Sequence, residues 1–306
     1  MNSSTDPHQG PGKPYRGRFA PSPTGPLHLG SLLCAVASFV DARHHAGSWH
    51  LRIDDLDTPR IQSDATSAIL EILESAGLTW DGPVLYQSRQ LEKYDEALSY
   101  LEQQGLVYAC TCSRKALQQL SAQKGTPGVY PGYCRSRDNP TTIAHALRLR
   151  TDSTAIGFSD RIQGYQEQDV LHRVGDFIVR RKDRIHAYQI AVVVDDQSQG
   201  ISHVVRGIDL LESTARQIFL QGKLGLSNLC YAHIPVVVDR QGTKLSKQSG
   251  AKGINNKGIS KAVHDALCLL RHSPPASMTD ASSSELLSWA IETWDIRKLE
   301  KMENVA

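Results

Sequence analysis

The stretch Arg16-Gly-Arg18-Phe19-Ala20-Pro21-Ser22-Pro-Thr-Gly25-Pro-Leu-His28-Leu-Gly30-Ser31 decides the fold. Arg16 to Phe19 can open a strand, and the Pro- and Gly-rich loop after it breaks any regular element. From Leu29 to Ala46 apolar residues then recur at helical spacing: Leu32, Leu33, Val36, Phe39 and Val40. A strand feeding a helix through a glycine-bearing loop is a phosphate site in outline. Gly30 admits close backbone approach, and the helix start offers free N–H groups and a positive dipole end. His28 can donate a hydrogen bond to phosphate oxygens. Taken alone the string is weak, since an ordinary loop histidine ahead of a helix explains it equally well.

Reading outward, a short strand covers Trp49 to Ile53, a helix runs from Asp64, which can cap it, to Ala76, and another runs from Leu91 to Gln104. This alternation predicts an α/β fold with a parallel sheet. Residues 108–184 break the rhythm with cysteines, Gly, Pro and Ser residues and a concentration of Arg. The rhythm resumes with the apolar, β-branched run Ile185 to Val194, a short strand at Val204-Val205, a helix from Leu211 to Leu224 and a strand from Ile234 to Val238. One α/β nucleotide-binding domain, residues 15–107 and 185–250, interrupted by a subdomain at 108–184, is the simplest account. Residues 251–306 carry two helical patterns, Ile259 to Arg271 and Ser284 to Glu292. They are near the ~50-residue lower edge of domain size, so no large third domain is expected.

Charged residues are 22% and hydrophobic residues 40% of the chain, ordinary values for a protein that buries a core. No apolar run approaches the ~20 residues of a membrane helix. Residues 1–14 are polar and Ser/Pro/Gly-rich, a disordered tail rather than a secretory signal, and a cytoplasmic location with no membrane partner is expected. A net charge of +2 neither demands nor excludes nucleic acid, so local clustering has to decide. Arg135, Arg137, Arg148, Arg150 and Arg180-Arg-Lys-Asp-Arg184 cluster within 108–184 and can track a phosphate backbone, or form a solvated face.

Two further constellations carry chemistry. Gly242-Thr-Lys244-Leu-Ser246-Lys247-Gln248 follows a strand and sets two lysines around a serine, a cationic loop able to neutralise a reacting triphosphate. A solvated surface turn is the plainer explanation of that loop by itself. Cys110-Thr-Cys112 with Tyr130-Pro-Gly-Tyr133-Cys134 brings three thiols near one another in sequence, as a tetrahedral zinc site requires. Tyr130, Tyr133 and His145 are the candidates for a fourth ligand.

The pair of loops says more than either part. HLGS after the first strand and KLSKQ after a late one resemble the HIGH and KMSKS elements of class I aminoacyl-tRNA synthetases. Arg18-Phe-Ala-Pro-Ser-Pro-Thr-Gly25, Arg52-Ile-Asp54-Asp55-Leu-Asp57, Ala191-Val-Val-Val-Asp195-Asp196, Val205-Arg-Gly-Ile-Asp209 and Lys244-Leu-Ser-Lys-Gln248 look like glutamyl-tRNA synthetases in particular. The resemblance spans Arg16 to Ser249. It implies a Rossmann-like catalytic domain that joins glutamate to ATP as an adenylate, with Mg²⁺ accompanying the ATP.

Position by position, it implies that Arg18, Phe19, Ala20, Pro21, Ser22, Tyr188 and Arg206 hold L-glutamate. An arginine suits a carboxylate because its planar fork pairs with it bidentately. Asp54 stands where the family carries Glu, facing the substrate amino group; the shorter side chain lets a water bridge instead. His28, Gly30, Lys244 and Lys247 match ATP-contacting positions, with His28 and Lys247 the catalytic pair. Ser31 replaces the last His of HIGH, and Gln248 the last Ser of KMSKS. In the family's shortened members the Cys-x-Cys…Tyr-x3-Cys pattern binds zinc, which implies Cys110, Cys112, Tyr130 and Cys134 as ligands.

A full-length glutamyl enzyme carries a helical region that reads the anticodon, and residues 251–306 are too few for it. The resemblance is therefore to the shortened paralogues, which activate glutamate without tRNA and attach it to the queuosine base of tRNA(Asp). A monomer is expected. Alternatives are a truncated enzyme charging tRNA(Glu), a nucleotidyltransferase making a carboxylate adenylate without tRNA, and a catalytically silent tRNA-binding paralogue.

Overall fold

The computed structural model describes residues 14–137, 141–239, 241–242, 244–245 and 253–306. The chain opens with β1 (Arg16–Phe19), α1 (Leu29–His44), β2 (Ser48–Ile53), α2 (Ala65–Ser75), β3 (Leu85–Tyr86) and α3 (Leu91–Gln103). β1, β2 and β3 form a parallel sheet in that order, with Arg18 opposite His50 and Arg52 opposite Leu85. α1 is buried on nearly every face, from Leu32 to Ala42. Its small residues Ala35, Ala37 and Ala42 let it lie against the sheet on one side and against later helices on the other. At the start of α2, Asp64 has the right residue type for a cap but sits in a helical backbone conformation, and its side chain makes no capping hydrogen bond.

The middle of the chain is more mixed. β4 (Val107–Cys110), α4 (Arg114–Gln123) and β5 (Ala146–Leu149) lead to the hairpin β6 (Ala155–Asp160) and β7 (Gly164–Asp169), then α5 (Val170–Arg173) and β8 (Ile178–Arg180). β4, β5 and β8 make a small antiparallel sheet. The β6–β7 hairpin does not join that sheet and instead pairs with a later strand of the catalytic body.

The apolar run Ile185 to Val194 belongs mostly to a helix, α6 (Tyr188–Ser198), rather than to a strand. Ile190 to Val193 are all buried beside Gln189, so this helix is covered all round and its sequence lacks an amphipathic period. β9 (His203–Gly207), α7 (Leu211–Lys223), β10 (Cys230–Ile234) and β11 (Val236–Val237) follow. The strand read at Ile234 to Val238 is thus two pieces that begin earlier, separated at Pro235, whose missing N–H interrupts the ladder. β9 and β10 run parallel, with Arg206 directly opposite His233, and the order across this sheet is β7-β6-β10-β9. Ser202, just before β9, donates its backbone N–H to the Arg16 carbonyl at 3.0 Å, which sets β9 beside β1.

The last elements are α8 (Ile259–Leu269), α9 (Ser283–Thr293) and β12 (Asn304–Val305). Ser282 and Glu285 form a reciprocal capping box that starts α9. Both helices pack on α1, and β12 pairs parallel to β11. Leu267, Leu286 and Trp294 join the same core as Leu33, Trp49 and Ile53. Asp41 ties the layers: it accepts from Tyr15, from Arg161 at 2.6 and 3.1 Å, and from Trp294 Nε1 at 2.9 Å. A second core joins α3, β5, α6, β8 and α7.

Candidate active site

The C-terminal ends of β1, β2, β9 and β10, with the start of α1, surround a cavity of about 460 Å³. Ligands of open parallel sheets bind at such strand ends. Arg18, Phe19, Ala20, Pro21, Ser22, His28, Gly30, Asp54, Tyr188, Arg206 and Lys244 all line it, although they span more than two hundred positions of sequence. Lys247 lies outside the described residues.

One wall is the loop between β1 and α1. Gly25 adopts φ +137°, a conformation that other residues rarely take, so the turn depends on glycine. His28 caps α1: its Nδ1 accepts the Ser31 backbone N–H at 3.3 Å and its Nε2 lies 3.1 Å from Ser31 Oγ. Since Nδ1 accepts, the proton of the neutral ring is on Nε2. Ser31, read from sequence as a departure from the motif, is therefore the group that orients the histidine. A Cβ on Gly30 would sit 3.1 Å from His28 Cε1 and 3.7 Å from the Leu245 carbonyl oxygen. The two motif loops thus meet across Gly30, with room for no added side chain atom without displacing the ring. Lys244 reaches Asp209 at 2.5 Å from the other side.

The floor is a network of buried arginines and aspartates. Arg52 Nη1 pairs with Asp196 at 2.6 Å and Arg52 Nε with Asp54 at 2.7 Å, while Asp195 is 3.7 Å away. Arg18 Nε also reaches Asp196, at 3.3 Å. Asp195 accepts from Tyr94 at 2.9 Å and Gln87 at 2.8 Å. Burial pushes the Asp195 carboxyl up to about 6 against the pull of Arg52. Burial likewise raises Asp54 despite Arg52 beside it. Asp196 goes the other way: burial opposes its charge, but Arg18 and Arg52 together outweigh it and hold its carboxyl below the usual range.

Arg206 differs from the other two arginines. It is only 3% exposed, and the groups that hold it are neutral. Its Nε donates to His233 Nε2 at 3.1 Å and its Nη2 to Thr214 Oγ1 at 2.8 Å. Its Nη1 is buried with no hydrogen-bond partner among the described residues. A buried cation with an orphan donor is costly unless an anion arrives. Arg52 Nη2 is likewise a buried donor with no hydrogen-bond partner among the described residues, but Arg52 is ion-paired to aspartates.

Cys110, Cys112 and Cys134 place their sulfur atoms within 4.8 Å of one another, and Tyr130 Oη is 3.7 Å from Cys110 Sγ. Soft thiolates in that cluster suit zinc. Burial opposes ionisation of Cys110, but hydrogen bonds from Arg148 and the Cys112 backbone outweigh it and lower its pKa. Of the three candidates for a fourth ligand, only Tyr130 joins the cluster. Tyr133 is 43% exposed under the Arg137 guanidinium, and His145 bonds the nearby Ile143 carbonyl at 2.8 Å.

Three of the arginines read as a possible phosphate track are engaged within the cysteine module. Arg148 is buried, stacked 3.7 Å over Tyr130, and donates to the Asp176 carbonyl at 2.6 Å. Arg150 stacks 4.8 Å over Tyr108, and Arg135 pairs with Asp176 at 2.5 Å. These side chains hold the cysteine module together. Among the residues of these networks that sequence reading left without a role are Asp195, Asp196, Thr214 and His233. The doubled aspartate ending an apolar run was the available signal for the first two; nothing local marks the others.

The sequence matches the family described as "tRNA synthetases class I (E and Q), catalytic domain" over residues 15–290. The chain is a class I tRNA synthetase of the E and Q family. Among the relatives of this class I synthetase are proteins named glutamyl-Q tRNA(Asp) synthetase. The one from Thiobacillus denitrificans is 48% identical over 283 residues, covering 92% of this chain and 94% of its own. The one from Pseudomonas aeruginosa PAO1 is 45% identical over 285 residues, covering 93% and 95%. A solved glutamate tRNA ligase from Elizabethkingia meningosepticum, in complex with its amino acid, superposes with a TM-score of 0.79 at 25% identity. It covers 96% of this synthetase and 67% of that chain.

Proposed function

We propose that this synthetase activates L-glutamate with ATP as glutamyl-adenylate without requiring tRNA, and transfers the glutamyl group to the queuosine base of tRNA(Asp). The observation that carries the glutamate half is Arg206, a buried, cavity-lining arginine held only by neutral partners and retaining an unpartnered donor. A substrate with a side-chain carboxylate meets that demand, and Arg18 and Tyr188 line the same cavity. The acceptor half rests on relatives at 45–48% identity over more than nine-tenths of both proteins, all named glutamyl-Q tRNA(Asp) synthetase. Their likeness favours this reading over charging of tRNA(Glu) and over a nucleotidyltransferase that does not use tRNA.

In this mechanism the glutamate α-carboxylate attacks the α-phosphorus of ATP in line and pyrophosphate leaves. The chain's part is to position the reactants and meet the developing charge, with no protein nucleophile. His28 presents its Nε2 side and the α1 N-terminus to the phosphates. Lys244 approaches from the opposite loop, and the motif assigns Lys247 to the same task. Mg²⁺ accompanies the ATP and neutralises its phosphates. Asp54, ion-paired to Arg52, faces the substrate ammonium directly or through a water. A hydroxyl of the queuosine cyclopentene-diol then attacks the acyl carbon, the ester forms and AMP leaves. Zinc held by Cys110, Cys112, Cys134 and Tyr130 would cross-link the 108–184 module. A monomer in the cytoplasm is part of the same proposal.

The acceptor is tested by incubating the protein with ATP, labelled glutamate and tRNA(Asp) with or without queuosine. Label on the queuosine-containing tRNA alone is expected, and it should still appear when the 3′-terminal adenosine has been removed from that tRNA beforehand. Equal labelling of both tRNAs contradicts the proposal.

A further inference from the structure

We infer that His233, locked by Asp160, is the positioning residue that fixes the Arg206 guanidinium for the substrate's side-chain carboxylate. The inference rests on the glutamate reading above and deepens it. Three strands bring the groups together. β10 pairs with β6 at Tyr231 and Asp160, and with β9 so that His233 and Arg206 are directly opposed. In-register neighbours of parallel strands project from the same face, and His233 lies two residues beyond Tyr231 on that face, so the sheet brings Asp160, His233 and Arg206 to one side.

The proton positions follow from the hydrogen bonds. Asp160 Oδ1 accepts backbone N–H groups of Ile162 at 3.0 Å, Gln163 at 2.9 Å and His233 at 3.2 Å. Burial opposes its charge, but the His233 bond and these N–H donors outweigh it and hold the carboxyl below the usual range. An ionised carboxylate only accepts. His233 Nδ1, 2.6 Å from Asp160 Oδ2, must therefore carry the ring proton. Nε2 is left with its lone pair, which receives Arg206 Nε at 3.1 Å. Burial keeps this histidine neutral against the upward pull of Asp160, with Arg206 adding to the effect of burial. A protonated ring would turn an N–H toward the arginine's own N–H.

Thr214 supplies the second anchor, accepting from Nη2 at 2.8 Å. With Nε and one Nη2 hydrogen engaged, the guanidinium cannot rotate, and Nη1 with the other Nη2 hydrogen remains as a donor edge. A carboxylate read bidentately needs such a fixed edge. His233 and Thr214 touch Arg206, not the phosphates, so they govern glutamate capture and leave ATP binding alone.

Steady-state ATP–pyrophosphate exchange on the full chain tests this, with KM measured separately for glutamate and ATP. His233→Asn keeps a donor toward Asp160 and removes the acceptor from Arg206. Thr214→Val removes the second acceptor with little change of shape. Each is expected to raise the glutamate KM roughly ten- to hundredfold, the scale of losing a hydrogen bond to a charged group, with the ATP KM unchanged. His233→Gln, which can return an oxygen toward Arg206 Nε, should recover part of the loss. Glutamate KM values at the wild-type level in both folded variants, or equal rises in both KM values, overturn the inference. Wild-type exchange driven by a different amino acid would instead contradict the glutamate reading. The variants' KM for that amino acid would still decide the positioning role.

Discussion

Three arginines reach the cavity region, and their partners give them different work. Arg52 is spent on Asp54, Asp195 and Asp196, and Arg18 shares Asp196, so both are charge-balanced within the protein. Arg206 hydrogen-bonds only neutral groups, His233 and Thr214, among the described residues. Asp195 carries a consequence of its own for stability. Its carboxyl titrates near 6 in the folded protein, above the usual unfolded value near 3.9. The folded state therefore binds more protons between those values. Stability from this group is present below about pH 4, is lost as pH rises toward 6, and is level above 7. Asp195→Asn removes that dependence. Denaturant melts should show the wild type losing up to about 3 kcal/mol relative to the variant between pH 4 and 7. A difference that stays constant with pH, or that favours the wild type as pH rises, would show Asp195 ionised throughout. Sequence made the arginines visible because each sits in a recognisable motif. It could not show which of them is balanced, because Asp196 lies 144 positions from Arg52 and His233 lies 27 from Arg206.

At the level of elements, the strand–loop–helix opening was readable because its helix starts at a histidine cap and carries a long apolar stripe. At α6 the sequence left the element type open, for a physical reason. A helix buried against α3 and α7 needs no polar face, so its Val-rich sequence has the composition of a strand. The cysteine module shows the opposite pattern. Around the cysteines only Tyr108, Cys110, Tyr130 and Cys134 cluster, too few to hold that end of the segment by burial alone, whereas β5 and β8 pack into the second core. The arginines stacked over Tyr130 and Tyr108 add to it, which is why residues read as phosphate contacts serve as cross-links. Bound zinc is expected to supply the remaining stability. Protein prepared without chelator should carry one zinc per chain. Removing it should speed amide exchange around Cys110, Cys112 and Cys134 while β1, α1 and β2 stay protected. Metal-free protein with unchanged exchange throughout would remove zinc from the account.

Over the whole molecule, the parallel strands, the β6–β7 hairpin and the C-terminal helices converge on one body. Asp41 joins Tyr15, Arg161 and Trp294 from its three ends. That frame makes the site possible: β1, β2, β9 and β10 end at one cavity, and residues far apart in sequence become its wall. The α/β class and most cavity residues were legible because most of the motifs sit at or just after strands that end at the cavity. The attachment of the hairpin to β10 was not, since nothing in residues 155–169 names its partner strand. In the proposed function this cavity makes glutamyl-adenylate on its own. This is tested most directly by ATP–pyrophosphate exchange with each amino acid in turn and no tRNA present. Exchange with glutamate is expected, and far slower exchange with glutamine or aspartate. No exchange until tRNA is added, or equal exchange with glutamine, would contradict it.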